Sequence, residues 1–260
     1  MKHFIFILNT LFVYFYSFSQ TTKFDYKISY NYRFQEDKKD TNSRRTEETL
    51  LFVGKEISYF VSAKKLAIDT ILQKETNFIS AMGRVNSLPK PKVNFEVVKN
   101  RDSKNSYFEL VGLSLYKVSS QEIIDWKFEE GTKQIGKYTC KKARTTFAGR
   151  NYTAWYSEEI PLSEGPYKFR GLPGLILEMY DDRQEHYFSL LSLEKKTYFL
   201  DLTHKQDQIV ELKNMQELEQ VRANRLENLK SAGFDIKLDP QKEKELKEKM
   251  RKKQNHIEML

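Results

Sequence analysis

The chain predicts a mainly β domain, a curved antiparallel sheet or half-barrel, with a helical C-terminal extension. Three observations carry this. Between residues 24 and 193, short apolar runs alternate with polar residues at period two, and polar turns separate them. Aromatic residues make up 13% of the chain, mostly Phe and Tyr, whose flat rings suit a half-buried pleated face. From residue 205 onward glycine and aromatics become scarce, and Leu, Glu, Lys and Gln dominate. The chain therefore divides into residues 1–19, a signal peptide; 20–204, the antiparallel β domain; and 205–260, the helical extension.

The N-terminal stretch opens with Lys2 and His3 and continues apolar from Phe4 to Phe18. Ser17 and Ser19 then place small residues before Gln20, the pattern of a cleaved secretory signal. The run falls short of the roughly 20 apolar residues of a spanning helix. No cysteine follows it for lipidation, and no later stretch is apolar enough to span as a helix. The expectation is an exported protein, periplasmic or extracellular, and not a lipoprotein. Cys140 is the only cysteine, which excludes an intramolecular disulfide, and it reads as a buried core thiol.

Phe24, Tyr26, Ile28, Tyr30, Tyr32 and Phe34 fall on one face of a first strand. The polar run 35–48 reads as a solvated loop, and Thr49–Val53 and Glu56–Val61 as a hairpin around Gly54-Lys55. A short helix begins near Leu66, and Pro89 and Pro91 end any helix there. Strands resume at Val93–Val98, Tyr107–Val111, Leu113–Val118 and Ile123–Phe128. Tyr138–Phe147 and the run from Tyr152 to Ser157 pair around Ala148-Gly149-Arg150-Asn151, and Leu175–Tyr180 pairs with His186–Leu193. In the extension, 214–231 reads as one helix capped by Asn214 and ended by Gly233, and Pro240 opens a second. Glu243–Lys247, Glu245–Lys249 and Glu248–Lys252 are favourable i,i+4 pairs along it.

The formal charge is +8, yet positive and negative residues interleave without a basic stripe, which argues against nucleic acid as a partner. Residues 165–182 concentrate glycine (165, 171, 174) and proline (166, 173) beside an apolar run. No Gly-Lys-Ser/Thr follows, so this is not a P-loop. The following run is strand-like, so it is not a dinucleotide fingerprint either. A turn accounts for it, with Pro173 setting φ at the second position and Gly174 supplying positive φ at the third. Gly171 then allows a close backbone approach to a strand or a ligand.

The hexapeptide Gly171-Leu172-Pro173-Gly174-Leu175-Ile176 resembles the signature of the GLPGLI family of Bacteroidota. The surrounding text is similar to that family too: Ile135–Ala143, Gly149-Arg150-x-Tyr152-x-Ala154-Trp155-Tyr156, Glu159-Ile160-Pro161 and Gly165-Pro166-Tyr167-x-Phe169. Asn255-His256-Ile257-Glu258 resembles an Asn-Pro-Ile-Glu ending of the family, with His256 in place of the proline. The resemblance implies an exported envelope protein of unknown function and supplies no catalytic residues. A looser similarity is to envelope proteins of the LolA/LolB-like half-barrel type, which curl a sheet around an apolar groove. Asp69-Thr70-Ile71 fits a Bacteroidota O-glycosylation pattern, which marks Thr70.

The expected function is non-catalytic binding of an apolar or peptide ligand. A groove would be lined by Tyr152, Tyr156, Phe169, Leu175, Leu177 and Phe188, with Arg150, Trp155 and Arg170 near its mouth. Partners of that kind are a lipid, a peptide or an envelope protein. The alternatives are an envelope adaptor using the C-terminal helices, or a hydrolase using Asp181, Asp182, Glu158, Glu159 or Glu178 with His186 or His204. No Gly-x-Ser-x-Gly elbow and no zinc-spaced His/Cys cluster supports an enzyme, and no cofactor or metal is expected.

Overall fold

A computed structural model describes residues 21–202, 209–231, 239–252 and 255–258. The signal-peptide reading, His204, Gly233 and the 204/205 boundary lie outside the described residues. Among the described residues twelve strands form one sheet. They are β1 (Thr21–Asp37), β2 (Asp40–Val53), β3 (Ile57–Ser62), β4 (Phe95–Asn100), β5 (Lys104–Val111), β6 (Ser114–Gln121), β7 (Lys127–Ile135), β8 (Tyr138–Phe147), β9 (Arg150–Ser157), β10 (Leu175–Asp181), β11 (His186–Asp201) and β12 (Ile209–Leu212). Their spatial order is β12-β6-β5-β4-β3-β2-β1-β11-β10-β9-β8-β7, and every pairing is antiparallel except β12 with β6. The fold is thus a large, open, curved, mainly antiparallel sheet.

Helices α1 (Ala63–Lys74) and α2 (Phe78–Ser87) form an excursion between β3 and β4. Helices α3 (Met215–Ala223), α4 (Arg225–Ser231) and α5 (Pro240–Lys252) follow the sheet. The single helix expected over 214–231 is instead two. Asn214 accepts from the Glu217 amide at the start, but Asn224 ends the first helix with its amide on the Gln220 carbonyl.

Two further readings change. The stretch 35–48 is not a loop, because β1 and β2 run on as a long hairpin with only Lys38 and Lys39 between them. Its charged residues alternate in a two-strand ribbon whose side chains reach water, so low hydrophobicity hides the strand. Residues 122–126 are not strand, and β7 begins only at Lys127.

The sheet buries both faces at its centre. The inner face holds the larger core, built from Ile28, Tyr30, Tyr32 and Phe34 of β1 with residues of β2 to β6, β8 to β11 and the loop 158–174. The outer face holds a smaller one, in which Phe24, Leu50, Phe52, Tyr59 and Val61 pack under Ala63 and Leu66 of α1. Phe24 therefore lies opposite its expected partners. A register irregularity between Phe24 and Tyr26 moves it across the sheet.

The glycine-rich stretch leads the loop 158–174 back into β10, with the two glycine roles exchanged. Gly171 is the residue with positive φ, at +101°, beside the Trp126 indole. Gly174 is the close-approach residue, since a Cβ there would overlap the Ser157 carbonyl. Pro173 stays exposed, while Leu172, Leu175 and Ile176 are wholly buried.

These roles separate by measurement. Gly174→Ala forces backbone apart and is expected to cost about 3 kcal/mol or more. Gly171→Ala meets only the φ penalty, about 1–2 kcal/mol. Gly83 of α2 has open space around its Cα, so Gly83→Ala should stabilise by up to about 1 kcal/mol. Urea unfolding of the three variants should rank them in that order.

Candidate functional site

Loop 158–174 is irregular, yet it crosses the inner face with Tyr167, Lys168, Phe169 and Leu172 almost wholly buried. A buried loop must place its backbone groups. Lys99 of β4, its side chain fully buried, does much of this. Its Nζ donates to the Gly165 carbonyl at 2.8 Å and the Phe169 carbonyl at 3.4 Å, and pairs with Glu164 at 2.7 Å. Ser58 of β3 donates to the same Glu164 carboxylate at 2.8 Å. Burial pushes the Lys99 ammonium below its usual range, against the opposing pull of Glu164. Tyr30 donates to the Ile176 carbonyl at 2.7 Å, and Trp126 to the Arg170 carbonyl at 2.8 Å. Arg170 itself reaches the Asn100 carbonyl at 2.6 Å.

The far end of the loop meets the C-terminal segment 255–258. Tyr167 holds φ +55°, a left-handed conformation that a bulky residue adopts only under constraint. Its hydroxyl donates to Glu258 at 2.6 Å, and its ring packs edge-on against Phe95 and Tyr107. Lys168, also fully buried, pairs with Glu258 at 2.7 Å and with Glu122 at 2.9 Å. Arg150, at the start of β9, pairs with Asp181 at 3.1 Å and Glu185 at 2.9 Å. Its other nitrogen donates to the Asn255 side-chain oxygen and to the His256 carbonyl at 3.1 Å. Asn255 donates to the Gln35 carbonyl at 2.8 Å, and Tyr152 to the Ile257 carbonyl at 2.8 Å. Ile257 is itself buried in the main core.

Beside this segment a cavity of about 380 Å3 remains between the sheet, α3 and α5. Phe34, Phe95, Tyr107, Tyr167, Met215 and Ile257 give it apolar walls. One corner is charged. Arg222 of α3 pairs with Glu109 of β5 and donates to the Tyr107 hydroxyl at 2.9 Å, while that hydroxyl donates to Glu109 at 2.5 Å. His186 lines another corner, its Nδ1 2.7 Å from the Tyr32 hydroxyl. Burial, then the Arg150 charge, hold its imidazole far below its ordinary protonation range. Burial, then the Arg222 charge, push His256 down to about 3. The site thus joins neutral imidazoles and buried cations that hold segment 255–258, beside a chamber whose lining is part aromatic and part charged.

The sequence-derived candidates divide. Tyr152, Tyr156, Phe169, Leu175, Leu177 and Phe188 are all buried in the main core and do not line the chamber. Arg150 and Tyr152 act through polar atoms on segment 255–258, whereas Arg170 fixes the loop and Trp155 lies half-buried under Lys133. Asp181 serves Arg150 and the His186 amide (2.7 Å). Asp182 pairs with Arg144, Glu158 with Lys141 and Glu178 with Lys133; Glu159 accepts from the Thr139 amide. Cys140 is buried, and desolvation lifts its thiol to about 11, the environment of an inert core cysteine. Thr70 sits within α1 with its hydroxyl on the Leu66 carbonyl at 2.7 Å. Lys99, Glu109, Lys168, Arg222 and Glu258 were missed, because a charged residue within an alternating strand or a tail reads as solvated. Among the described residues no group of three His, Cys, Asp or Glu is arranged for a metal, and no helix is long and apolar enough to cross a membrane.

A family described as "Protein of unknown function (Porph_ging)" matches residues 147–178, from the β8–β9 turn through the loop into β10. That span contains Arg150, Tyr152, Tyr167 and Lys168. No curated protein matches the chain. Among solved structures, PNGF-II in P21 and C2 crystals is similar at TM-scores of 0.47 and 0.48, each with 17% identity over 75% of this chain. The match covers 32% of those chains, so this chain spans about a third of their length.

Two outcomes follow from the charges. Lys168→Met strands buried carboxylate and should cost about 3–5 kcal/mol, of which Glu258→Gln in the same chain recovers about 1–2. A urea double-mutant cycle reads both. For His186, the unfolded chain takes up a proton near pH 6.5 and the folded chain does not. Stability is therefore complete above that pH and falls below it, by about 1.4 kcal/mol per pH unit between pH 6 and 5. Asp181, whose folded carboxyl is raised by burial, works in the opposite sense only at lower pH. His256, held neutral to about pH 3, adds a like slope, so thermal melts of His186→Gln should lose about half of the pH dependence in that window.

Proposed function

We propose that the protein is an exported, non-catalytic binding protein of the cell envelope, periplasmic or extracellular, whose inner face seats an extended polypeptide segment. On this reading it is a member of the GLPGLI family, delivered by the signal peptide 1–19. The hexapeptide at 171–176 and the family match over 147–178 support that assignment.

One observation carries the peptide reading. Segment 255–258 is irregular chain, and it is held as a ligand would be. Arg150 and Tyr152 take two of its carbonyls, Arg150 takes the Asn255 side chain, Ile257 fills an apolar pocket, and Tyr167 and Lys168 take the Glu258 carboxylate. This is how recognition sites combine main-chain hydrogen bonds with an apolar anchor and a charge clamp. The expected six apolar lining residues are already packed against one another, which favours a peptide over a lipid tail. The seat then selects an apolar residue followed by an acidic one.

The test frees the seat within the full mature chain. Ile257→Asp should release the tail, and a fluorescent peptide Asn-His-Ile-Glu-Met-Leu should then bind in trans, seen by polarisation, while wild type stays closed. Adding Tyr152→Phe, which removes one hydrogen bond to the peptide, should weaken binding by about tenfold at most. A folded Ile257→Asp variant that takes no peptide would overturn the reading, leaving the adaptor role.

A further inference from the structure

The chamber of about 380 Å3 is unused by the peptide reading, in which segment 255–258 is only one of its walls. Protein interiors as a rule leave no void larger than a water molecule. At about 30 Å3 for a group the size of a water molecule, this one has room for about a dozen non-hydrogen atoms. Its volume falls in the range of small-molecule sites. The apolar wall is a cluster of rings. Phe95 and Tyr107 stack with centroids 5.3 Å apart, and Tyr167 meets both edge-on at 5.5 and 6.2 Å. Such a wall favours a flat aromatic guest over an alkyl chain, since ring–ring contact adds to the gain from buried area.

The charged lining residues do not cancel. Glu109 is paired with Arg222, Glu258 with Lys168 at 2.7 Å, and Glu36 with Arg45 at 3.4 Å. Every carboxylate on the wall therefore already has a cation. His186 and His256 are held neutral. Lys92 and Arg225 line the same chamber, are both exposed, and form no ion pair with the described residues. Glu47 accepts from the Lys92 amide at 2.7 Å, but its carboxylate pairs with Lys64. The chamber thus has spare positive charge on its solvent side and no spare negative charge.

We propose that the chamber binds a compact aromatic carboxylate, a ring system of about a dozen non-hydrogen atoms with one anionic group. The ring lies against Phe95, Tyr107 and Tyr167, and the carboxylate faces Lys92 and Arg225. The site stands with segment 255–258 in place, so it does not depend on a peptide binding in trans.

Isothermal titration of the mature full-length protein with 1-naphthoate, at an ionic strength of about 0.05 M, reads the site. One molecule should bind per chain. Neutral 1-naphthamide and aliphatic decanoate should each bind at least about threefold more weakly. Lys92→Glu with Arg225→Glu should weaken 1-naphthoate by at least about tenfold and 1-naphthamide by less than about twofold. The melt should be unchanged, because both side chains are exposed. Phe95→Leu, read beside its melt, should weaken both naphthyl ligands by at least about threefold. No saturable binding to the folded chain, or amide or decanoate binding as tight as that of 1-naphthoate, overturns the proposal. So does a 1-naphthoate affinity indifferent to the Lys92/Arg225 pair or to a folded Phe95→Leu variant, since the ligand would then sit elsewhere.

Discussion

Two buried ammonium groups, on Lys99 and Lys168, decide how the inner face of the sheet is closed. A curved sheet rich in Phe and Tyr leaves a concavity that its own side chains do not fill. Covering it with irregular chain brings carbonyls into the core that no strand partner can satisfy. Lys99 supplies donors to two of them and a counter-charge to Glu164. Lys168 does the converse, travelling inward on the loop to meet Glu122 and Glu258. An apolar side chain of similar volume would fill the space but leave those carbonyls and carboxylates unpaired. That cost, more than any gain from the ion pairs themselves, holds the loop in one place.

The rest of the site is a consequence. Once the loop is pinned at Lys99, Tyr167 must turn in a left-handed conformation to point its ring at Phe95 and Tyr107 and its hydroxyl at Glu258. The strain is small beside the burial of a whole tyrosine and two hydrogen-bonded charges. The C-terminal segment then completes the surface from the other side, through Arg150. That guanidinium faces two carboxylates, the Asn255 side-chain oxygen and the His256 carbonyl at once, a fork geometry that lysine cannot reproduce. Helix α3 closes the chamber by the same means, with Arg222 set against Glu109 and Tyr107.

Much of the sheet was legible because most of its strands bury at least one face. The hairpins from Tyr138 to Ser157 and from Leu175 into β11 stand where alternation and turn chemistry put them. The misses have particular causes. The long β1–β2 ribbon is charged on exposed positions, and its pairing depends on register with a neighbour, not on its own hydrophobicity. Phe24 changes face at an irregularity that no period-two count can detect. Lys99 sits in a strand as an apparently outward charge, and only the arrival of loop carbonyls more than sixty residues away explains its burial. Asn255-His256-Ile257-Glu258 has no periodicity at all, and its place is set by partners on β1, β9 and the loop. Arg150 and Tyr152, expected at a groove, donate to the chain of segment 255–258.

The hexapeptide at 171–176 illustrates how a conspicuous motif can be fully occupied by architecture. Gly171 is required because φ is +101°, and Gly174 because the Ser157 backbone leaves no room for a Cβ. Pro173 limits the backbone between them, and Leu172, Leu175 and Ile176 fill the core. None of the six carries a group able to donate from its side chain, accept a proton or hold a charge. Their combined effect is to bring the loop back into β10 in a single register, with the Ile176 carbonyl on Tyr30 and its amide on the Glu164 carbonyl. The polar contacts to segment 255–258 come instead from Tyr167 and Lys168 before the motif and Arg150 and Tyr152 on the neighbouring strand. The motif fixes the loop, and its flanks hold segment 255–258.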